Sequence, residues 1–419
     1  MEIQKDLLEP LLRRFTKYVS IDSQSNSQNA DNGIMPSTEN QWVFARTLLE
    51  EFKSLGIIDA ELDGNCYLLA RLPATPGKEE SLTFGLCSHI DTSGEAPGSA
   101  VKPQFHKNYD GRPIILRDGF SIDPKSDSDL ASCAGRGDTI ITSDGTTLLG
   151  ADDKAGIAGI MTMLEYLISH PEIPHGPVEI LFSPDEETGH GMDKVPLDRI
   201  RSKAFYTVDG GQEGELEIEC FNAWKCDLMF TGIAAHLGTA RGKMVNALTM
   251  AASFISALPQ QESPETTDGY EGYFCPLEAE GTIEKARVSV LLRDFDRANM
   301  EARLDRIDVI ARGIEARFPG GKIKVARSQQ YLNMKEKLEA APHLLSRLQE
   351  AAGRAGVETY LKPIRGGTDG SRLTEMGIPT PNIFTGGHNF HSRTEWASLL
   401  QMGSMVGVLI ELVKVWGEQ

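Results

Sequence analysis

The sequence lacks the features that mark several large classes of protein. Its six cysteines include no Cys-x-x-Cys pair, so neither a zinc knuckle nor a disulfide framework is indicated, and we expect free thiols. Basic residues are in deficit, because 42 Lys and Arg against 60 Asp and Glu give a net charge of −18. This charge disfavours a nucleic-acid partner or an anionic membrane surface. No uninterrupted run of about 18 apolar residues occurs, so we expect no transmembrane helix.

What the sequence does contain is enough apolar material for two folded domains. Its 419 residues exceed the size of one ordinary domain, and 40% of them are hydrophobic. The segment Met1–Ser20 has leucines at helical spacing with charges between them, which predicts a helix docked on the core rather than a signal peptide. With free thiols and no predicted signal peptide, we expect a cytoplasmic protein.

Apolar strands alternate with amphipathic helices over the first half of the chain and again near its end. Such alternation predicts a doubly wound α/β fold with a mostly parallel sheet. The predicted strands are Glu61–Leu72, Ser81–Cys87, Ile140–Thr142, Pro177–Phe182, Ala204–Val208 and Pro381–Phe384, and the main predicted helices are Glu39–Leu55, Ile157–Ile168, Pro342–Ala355 and Trp396–Trp416. The stretch 94–138 is polar and has no strong period, so it gives no defined prediction.

A different order of elements begins near Cys220. Strand, helix, strand, strand, helix and strand in succession indicate a ferredoxin-like α+β unit inserted in the α/β domain. Its most regular helices are predicted at Met244–Leu258 and Asn299–Phe318. We therefore divide the chain into a first α/β segment, 1–219, an inserted domain, 220–330, and a second α/β segment, 331–419.

The stretch Thr147–Gly156 carries two adjacent carboxylates, Asp152 and Asp153, in a glycine-bounded turn before a predicted helix. An aspartate in that place can simply cap the helix and complement its dipole. A second interpretation arises because further ligand-type side chains follow predicted strands. These are His89, Glu186, Glu187 and Asp209. Ligands bind beyond the carboxyl ends of parallel strands, so these groups should converge, although each alone could be a solvated loop residue.

This set of side chains matches a two-metal hydrolase. Zinc accepts histidine nitrogen and carboxylate oxygen, and one carboxylate can bridge two ions. Such a site also needs a base that takes a proton from water and delivers it to the leaving group. In the pair Glu186-Glu187, one carboxylate can bind metal while the other stays free. An isolated Glu-Glu pair is usually surface charge, but this one closely follows a buried-type strand and Pro184.

Seven motifs, spread in order over nearly the whole chain, give the sequence a resemblance to a known family. They are Ser88–Thr92, Gly150–Gly156, Pro184–Glu187, Thr207–Gly211, Arg293–Asp296, Pro363–Gly370 and His391. With these motifs the chain resembles the tripeptide aminopeptidases of the aminoacylase/glutamate carboxypeptidase family of co-catalytic zinc peptidases. The resemblance implies that the α/β segments form a catalytic domain and that the insertion is a lid and dimerisation domain, through which a homodimer would form.

The resemblance also implies two zinc ions and a role for each site residue. The implied ligands are His89 and Asp209 for one ion, Glu187 and His391 for the other, and Asp152 bridging both. Asp91 would bind the other ring nitrogen of His89 and fix its tautomer. Glu186 would be the general base.

The resemblance also implies three contacts to a short peptide. Arg293 and Arg365 would hold the carboxylate of the peptide, although a structural ion pair is the alternative for each. His236 would stabilise the oxyanion. Two positions depart from the family pattern. Leu237 stands where a proline is usual, and His388 stands where a tyrosine is usual and is a rival ligand to His391.

The resemblance favours a di-zinc aminopeptidase acting on tripeptides, and two other functions are kept as alternatives. One is a related dipeptidase, acylase or carboxypeptidase, because the sequence does not fix which end of a peptide is cut. The other is a non-catalytic binding protein on the same scaffold. Such a protein should have lost a ligand or the base, whereas all five predicted ligands and Glu186 are present.

Overall fold

The computed structural model describes residues 2–418, with side chains from Asp6 onward; Met1 and Gln419, which belong to predicted segments, lie outside the described residues. The helices are α1 (Glu2–Val19), α2 (Ser27–Asp31), α3 (Glu39–Ser54), α4 (Ser128–Ser132), α5 (Ala151–Ser169), α6 (Ala247–Ala257), α7 (Arg297–Arg317), α8 (Lys335–Glu339), α9 (Pro342–Ala355), α10 (Asp369–Glu375) and α11 (Leu399–Gly417). The strands are β1 (Ala60–Leu62), β2 (Leu68–Leu72), β3 (Phe84–His89), β4 (Gln104–Lys107), β5 (Ile114–Ile115), β6 (Ser121–Ile122), β7 (Thr139–Thr142), β8 (Val178–Ser183), β9 (Phe205–Gly210), β10 (Glu215–Glu217), β11 (Asn222–Thr231), β12 (Tyr273–Gly281), β13 (Lys285–Asp294), β14 (Lys322–Tyr331), β15 (Tyr360–Leu361), β16 (Asn382–Phe384), β17 (Gly387–His388) and β18 (Trp396–Ser398).

The chain forms two compact units, and the second is an insertion in the first. The first unit contains residues 2–218, 336–362 and 368–418, and the second contains 219–335 and 363–367. The short segment 363–367 belongs to the inserted unit. Its residue Ile364 forms a parallel β-bridge with Cys220 of that unit.

The first unit is built on an eight-stranded sheet of order β1-β2-β8-β3-β9-β16-β10-β15. Its four central strands, β8, β3, β9 and β16, are parallel, which confirms the predicted α/β fold. Strands β3 and β8 are buried along their whole length, as expected for a sheet covered on both faces. Helix α5 packs against β3 and β9. Gly156 permits this packing, because a Cβ there would lie 2.0 Å from the carbonyl oxygen of Val208.

The C-terminal helix α11 is long and apolar enough, by length and composition alone, to cross a membrane, although polar residues interrupt its apolar run. The helix contains a window of 18 residues whose mean hydropathy is high despite a few polar residues. Within the protein, 78% of this window is buried. The helix packs on α9, α5 and α1. It is a core helix of the first unit.

Two predictions about the early chain need correction. Glu61–Leu72 is not one strand but the antiparallel pair β1 and β2. The carboxylate of Asp63 accepts hydrogen bonds from the N–H groups of Asn65 and Tyr67, which makes the tight turn between them. The unassigned stretch 94–138 contains β4, β5, β6 and α4, and β4 pairs with β7 in a second, four-stranded sheet of order β17-β18-β7-β4.

The inserted unit has the predicted order of strands and helices: β11, α6, β12, β13, α7 and β14. Its sheet, of order β12-β13-β11-β14, is antiparallel throughout. Helices α6 and α7 pack against this sheet through an apolar core. The insertion therefore has a hydrophobic core of its own.

Candidate metal centre

Three neighbouring strands of the large sheet end at one place, and each brings a predicted ligand there. In the order β8-β3-β9, strand β3 ends at His89, which pairs with Ser183 at the end of β8. The register of β9 against β3 sets Asp209 level with His89. Glu186 and Glu187 lie in a 3-10 turn that follows β8. The parallel sheet thus gathers these residues at its carboxyl edge.

The carboxylate of Asp152 lies between two histidines that are far apart in the sequence. Its Oδ1 is 2.8 Å from Nε2 of His89, and its Oδ2 is 3.2 Å from Nε2 of His391. The same nitrogen of His89 is 3.5 Å from Oδ1 of Asp209, and that of His391 is 2.8 Å from Oε2 of Glu187. The five predicted ligands therefore come together as two groups that share Asp152.

Asp153 takes the capping position that we considered for Asp152. Its Oδ1 accepts a hydrogen bond from the N–H of Gly156 at 3.2 Å, inside the first turns of α5. Its Oδ2 accepts the N–H of His89, also at 3.2 Å. Its carboxylate can also join His89 and Asp209 in a ligand group, a grouping that the sequence did not indicate. The two aspartates thus differ in their contacts. Asp153 accepts backbone N–H groups, and Asp152 faces the two histidines.

Asp91 contacts the site in a different way from the prediction. Nδ1 of His89 lies 3.1 Å from the backbone carbonyl oxygen of Asp91 and 3.4 Å from its carboxylate. The two carboxylate oxygens accept the backbone N–H groups of Glu186 and Glu187, at 3.0 and 3.2 Å. Asp91 therefore orients the ring of His89 chiefly through its main chain and holds the Glu-Glu turn through its side chain.

The two glutamates of that turn differ in their contacts. Oε2 of Glu187 faces His391, while its Oε1 is buried and has no hydrogen-bond partner among the described residues. The Glu186 carboxylate makes no side-chain hydrogen bond within the described part of the chain. Burial, together with the charges of Asp369 and Asp209, raises the pKa of Glu186 well above its usual range, although His89 opposes this shift. Glu186 is thus a free carboxylate beside a cluster of ligands.

Charge is concentrated in this partly buried cluster. Burial and the Asp152 carboxylate raise the pKa of Glu187 to about 8, and burial raises that of Asp209 to about 6 despite the nearby His89. Burial opposes the charged form of His391, but hydrogen bonds to Asp152 and Glu187 raise its pKa to about 12. The acids are therefore held close together against their mutual repulsion.

These side chains fit a pair of zinc ions. Imidazole nitrogens and carboxylate oxygens are the donors that zinc accepts. His89 has carboxylate oxygens within 4.8 Å, and His391 lies 2.8 Å from Glu187 and 3.2 Å from Asp152. The unpartnered Oε1 of Glu187 is a buried acceptor, which costs about 1–3 kcal/mol when nothing satisfies it. A cation at this point would satisfy that oxygen and offset the repulsion between the acids.

Two networks that hold the site were not found from the sequence. Asp185, which precedes the Glu-Glu turn, accepts hydrogen bonds from the N–H of Ser37 at 2.7 Å and from the side chain of Gln41 at 2.6 Å. Oε2 of Glu95 lies 2.9 Å from Nδ1 of His391 and so orients that ring. Asp185 belongs to the motif Pro184–Glu187, but Glu95 lies in the stretch 94–138, which has no periodic signal.

Two further histidines, His388 and His190, lie outside the cluster. His388 is buried in β17, stacks on Trp396 with ring centroids 3.9 Å apart, and places its Nε2 3.0 Å from Gln401. It is therefore a core residue, and it does not compete with His391. His190 is partly exposed and pairs with Asp193 at 2.7 Å.

The three predicted peptide-binding residues all belong to the inserted unit. Arg365 donates to the carbonyl oxygens of Gly269 and Glu271, at 2.7 and 3.0 Å, and to Thr267. Arg293 donates through one nitrogen, Nη1, to carbonyl oxygens, and its guanidinium lies over the ring of Tyr331. Neither arginine forms an ion pair among the described residues.

His236 is exposed at the start of a short 3-10 turn. Its Nδ1 accepts the N–H of Gly238 at 3.2 Å, so this ring nitrogen is engaged by the protein's own backbone. Nε2 makes no hydrogen bond among the described residues. The exposed ring can therefore offer Nε2 to a ligand.

Comparisons with known sequences agree over almost the entire chain. A sequence profile of peptidase family M20/M25/M40 matches residues 145–415. The chain is 45% identical to a peptidase T from Geobacillus sp. (strain WCH70), over 98% of this chain and 99% of that protein. It is 43% identical, with the same coverage of both proteins, to a peptidase T from Bacillus licheniformis.

Solved structures share the fold. One is the aminopeptidase PepT from Bacillus cereus, with 24% identity, a TM-score of 0.71 and 98% of each chain covered. Another is a dinuclear metal-binding peptidase of the M20 family from Bacillus subtilis, with 15% identity, a TM-score of 0.66 and 99% of each chain covered. Both likenesses extend through the insertion as well as the large sheet.

Proposed function

Because the chain belongs to peptidase family M20/M25/M40 and is similar to peptidase T over nearly its whole length, we propose that it is a di-zinc aminopeptidase that removes the N-terminal residue from tripeptides. The observation that carries the proposal is the position of Asp152, whose two oxygens face one histidine each. We place the activity in the cytoplasm, because thiols stay reduced there and the six cysteines of this protein are free.

In this proposal, His89 and Asp209 would hold one zinc ion, Glu187 and His391 would hold the other, and Asp152 would be shared by both. Bound zinc would polarise the scissile carbonyl and lower the pKa of the attacking water. Asp153 is left as a backbone anchor, since both of its oxygens accept N–H groups.

Glu186 is the proposed general base. Its carboxylate has no competing side-chain hydrogen bond among the described residues, and Asp91 fixes its main chain. It would accept the proton of the attacking water and deliver it to the amine that leaves when the peptide bond breaks. Burial raises the pKa of Glu186, so this carboxyl group holds a proton more readily than an exposed glutamate does.

Recognition of the peptide carboxylate is assigned first to Arg293. Both Nη atoms of Arg365 already donate to residues 267–271, whereas Nη2 and Nε of Arg293 have no acceptor among the described residues. A bidentate guanidinium suits a carboxylate. Arg365 would then act mainly by holding loop 267–271, and His236 would offer its free Nε2 to the oxyanion.

A panel of substrates tests the function. Purified protein with zinc should release free alanine and Ala-Ala from Ala-Ala-Ala and should leave N-acetyl-Ala uncut. Cleavage of N-acetyl-Ala would indicate an acylase, and preference for Ala-Ala a dipeptidase. The tripeptide Ala-Gly-Leu identifies the end that is cut, because an aminopeptidase releases alanine from it and a carboxypeptidase releases leucine. Binding of peptides without any turnover would favour the non-catalytic alternative.

A further inference from the structure

We propose that Glu395 is a positioning residue that sets the place of Asp152 between the two histidines. The inference rests on the proposed role of Asp152 as a shared metal ligand. Glu395 is fully buried, and nothing in the sequence patterns marked it. It touches neither substrate nor metal in the proposed site, and it acts through the main chain of other residues.

The Glu395 carboxylate satisfies three backbone N–H groups of one turn. Its Oε2 accepts those of Leu149 and Gly150 at 2.7 and 2.8 Å, and its Oε1 accepts that of Asp152 at 3.1 Å. Gly150 has a left-handed conformation, with a φ of 79°, so the turn departs from regular helix before α5. N–H groups in such a turn have no intrahelical acceptor, and a carboxylate that receives three of them fixes the turn in one conformation.

The same residue also fixes the other side of the shared carboxylate. Glu395 follows His391 by four residues, and its own N–H donates to the carbonyl oxygen of Ser392 at 3.3 Å. The loop that carries His391 and the turn that carries Asp152 are therefore joined by one buried side chain. This link sets the 3.2 Å approach of Asp152 Oδ2 to His391 Nε2.

A purely structural carboxylate would stabilise the fold without setting metal affinity, and the chain offers one for comparison. Glu179 is also fully buried and accepts the backbone N–H groups of Arg201 and Ser202, together with a hydrogen bond from Arg71. It lies near the start of β8, at the opposite end of that strand from Ser183 and the ligand cluster. Glu179→Gln is therefore the matched control for Glu395→Gln.

The experiment measures zinc affinity of folded protein by competition with a chelator, together with thermal melting, kcat and KM. Glutamine replaces one acceptor by an NH₂ group that faces backbone donors, so Glu395→Gln should weaken zinc binding about 10–100-fold, the usual cost of losing a residue that orients ligands. We expect kcat to fall while KM for Ala-Ala-Ala stays near that of the parent. Glu179→Gln should lower the melting temperature without weakening zinc binding.

Glu395→Asp keeps the charge and both acceptor oxygens, and it should recover part of the lost affinity; it also serves if the glutamine variant does not fold. If folded Glu395→Gln binds zinc as tightly as the parent protein, the inference is overturned. If that variant does not fold, the same result with folded Glu395→Asp would overturn it. An equal loss of affinity in Glu179→Gln would do so too. A parent protein that binds no zinc would instead overturn the proposed function, so the two failures are distinguishable.

Discussion

Oδ1 of Asp91 accepts the backbone N–H of Glu186 at 3.0 Å, and Oδ2 accepts that of the next residue. The residue that orients the ring of His89 therefore also fixes the turn that carries the proposed base. These contacts connect the ends of two adjacent parallel strands, β3 and β8. The spacing between a proposed ligand and the proposed base thus depends on one fully buried carboxylate.

Asp91→Asn should disturb the base more than the overall fold. Asparagine retains one acceptor oxygen, but its NH₂ group faces a backbone donor of the Glu-Glu turn. We expect kcat to fall about 10–100-fold, as for other residues that orient ligands, with a smaller change in KM. Steady-state kinetics on Ala-Ala-Ala, with circular dichroism as the check on folding, measures this. A folded variant with parental kcat would contradict the role of Asp91.

Removal of metal should abolish activity and leave most of the fold. Strands β3 and β8 and helix α5 are buried by apolar packing that does not depend on ions. Purified protein should carry, or take up on titration, about two zinc ions, the number that the shared carboxylate implies. Zinc should also raise the melting temperature, because a ligand of the folded state stabilises it. Full activity in a preparation shown to be metal-free would refute the two-zinc site.

Glu186→Gln and Glu187→Gln form a pair that separates base from ligand. The first keeps the shape of the side chain but removes proton acceptance, so turnover should fall about 10²–10⁴-fold while zinc content stays the same. The second removes the charge that faces His391, so zinc occupancy should fall. Metal analysis beside kinetics distinguishes them. Loss of zinc from the first variant and retention by the second would mean that the roles are reversed.

Arg293 and Arg365 should respond differently to substitution by lysine. Arg293→Lys should raise KM for Ala-Ala-Ala about 10–100-fold, which is the loss of affinity expected when a hydrogen bond between charged groups is removed. It should leave KM unchanged for the same peptide with a C-terminal amide. Arg365→Lys should lower the melting temperature, since the guanidinium holds loop 267–271 through four hydrogen bonds. If Arg365→Lys, and not Arg293→Lys, makes KM the same for the free peptide and its C-terminal amide, then Arg365 binds the peptide carboxylate.

His236 is predicted to act on the active site of the neighbouring subunit of a homodimer. Two inactive variants, Glu186→Ala and His236→Ala, can be co-expressed and their mixed dimers isolated. If His236 serves the partner's site, one site in each mixed dimer has both residues intact, so activity should return. If it serves its own subunit, every site lacks one residue and the mixed dimer stays inactive. A monomeric protein in sedimentation experiments would refute the homodimer itself.

The sequence by itself determined the main outline of this protein. Buried strands such as β3 and β8 are recognised in the sequence by continuous apolar residues. Amphipathic helices are recognised by the helical spacing of their apolar residues. Helix α9 is an example, and its predicted bounds are those of the structure. Because His89 and the Glu-Glu turn follow such strands, the rule for parallel sheets was enough to predict that they converge. These are local signals, and local signals can be recognised without knowing the rest of the chain.

Tertiary structure alone decided which polar groups hold the site in place. Glu395 contacts a turn some 245 residues earlier, and Asp185 contacts Gln41 at a separation of 144 residues. It also decided that Asp153 caps α5 while Asp152 faces the histidines, and that His388 stacks in the core. No period or propensity encodes such pairs, because a buried carboxylate takes whichever backbone donors the packed chain leaves without a partner.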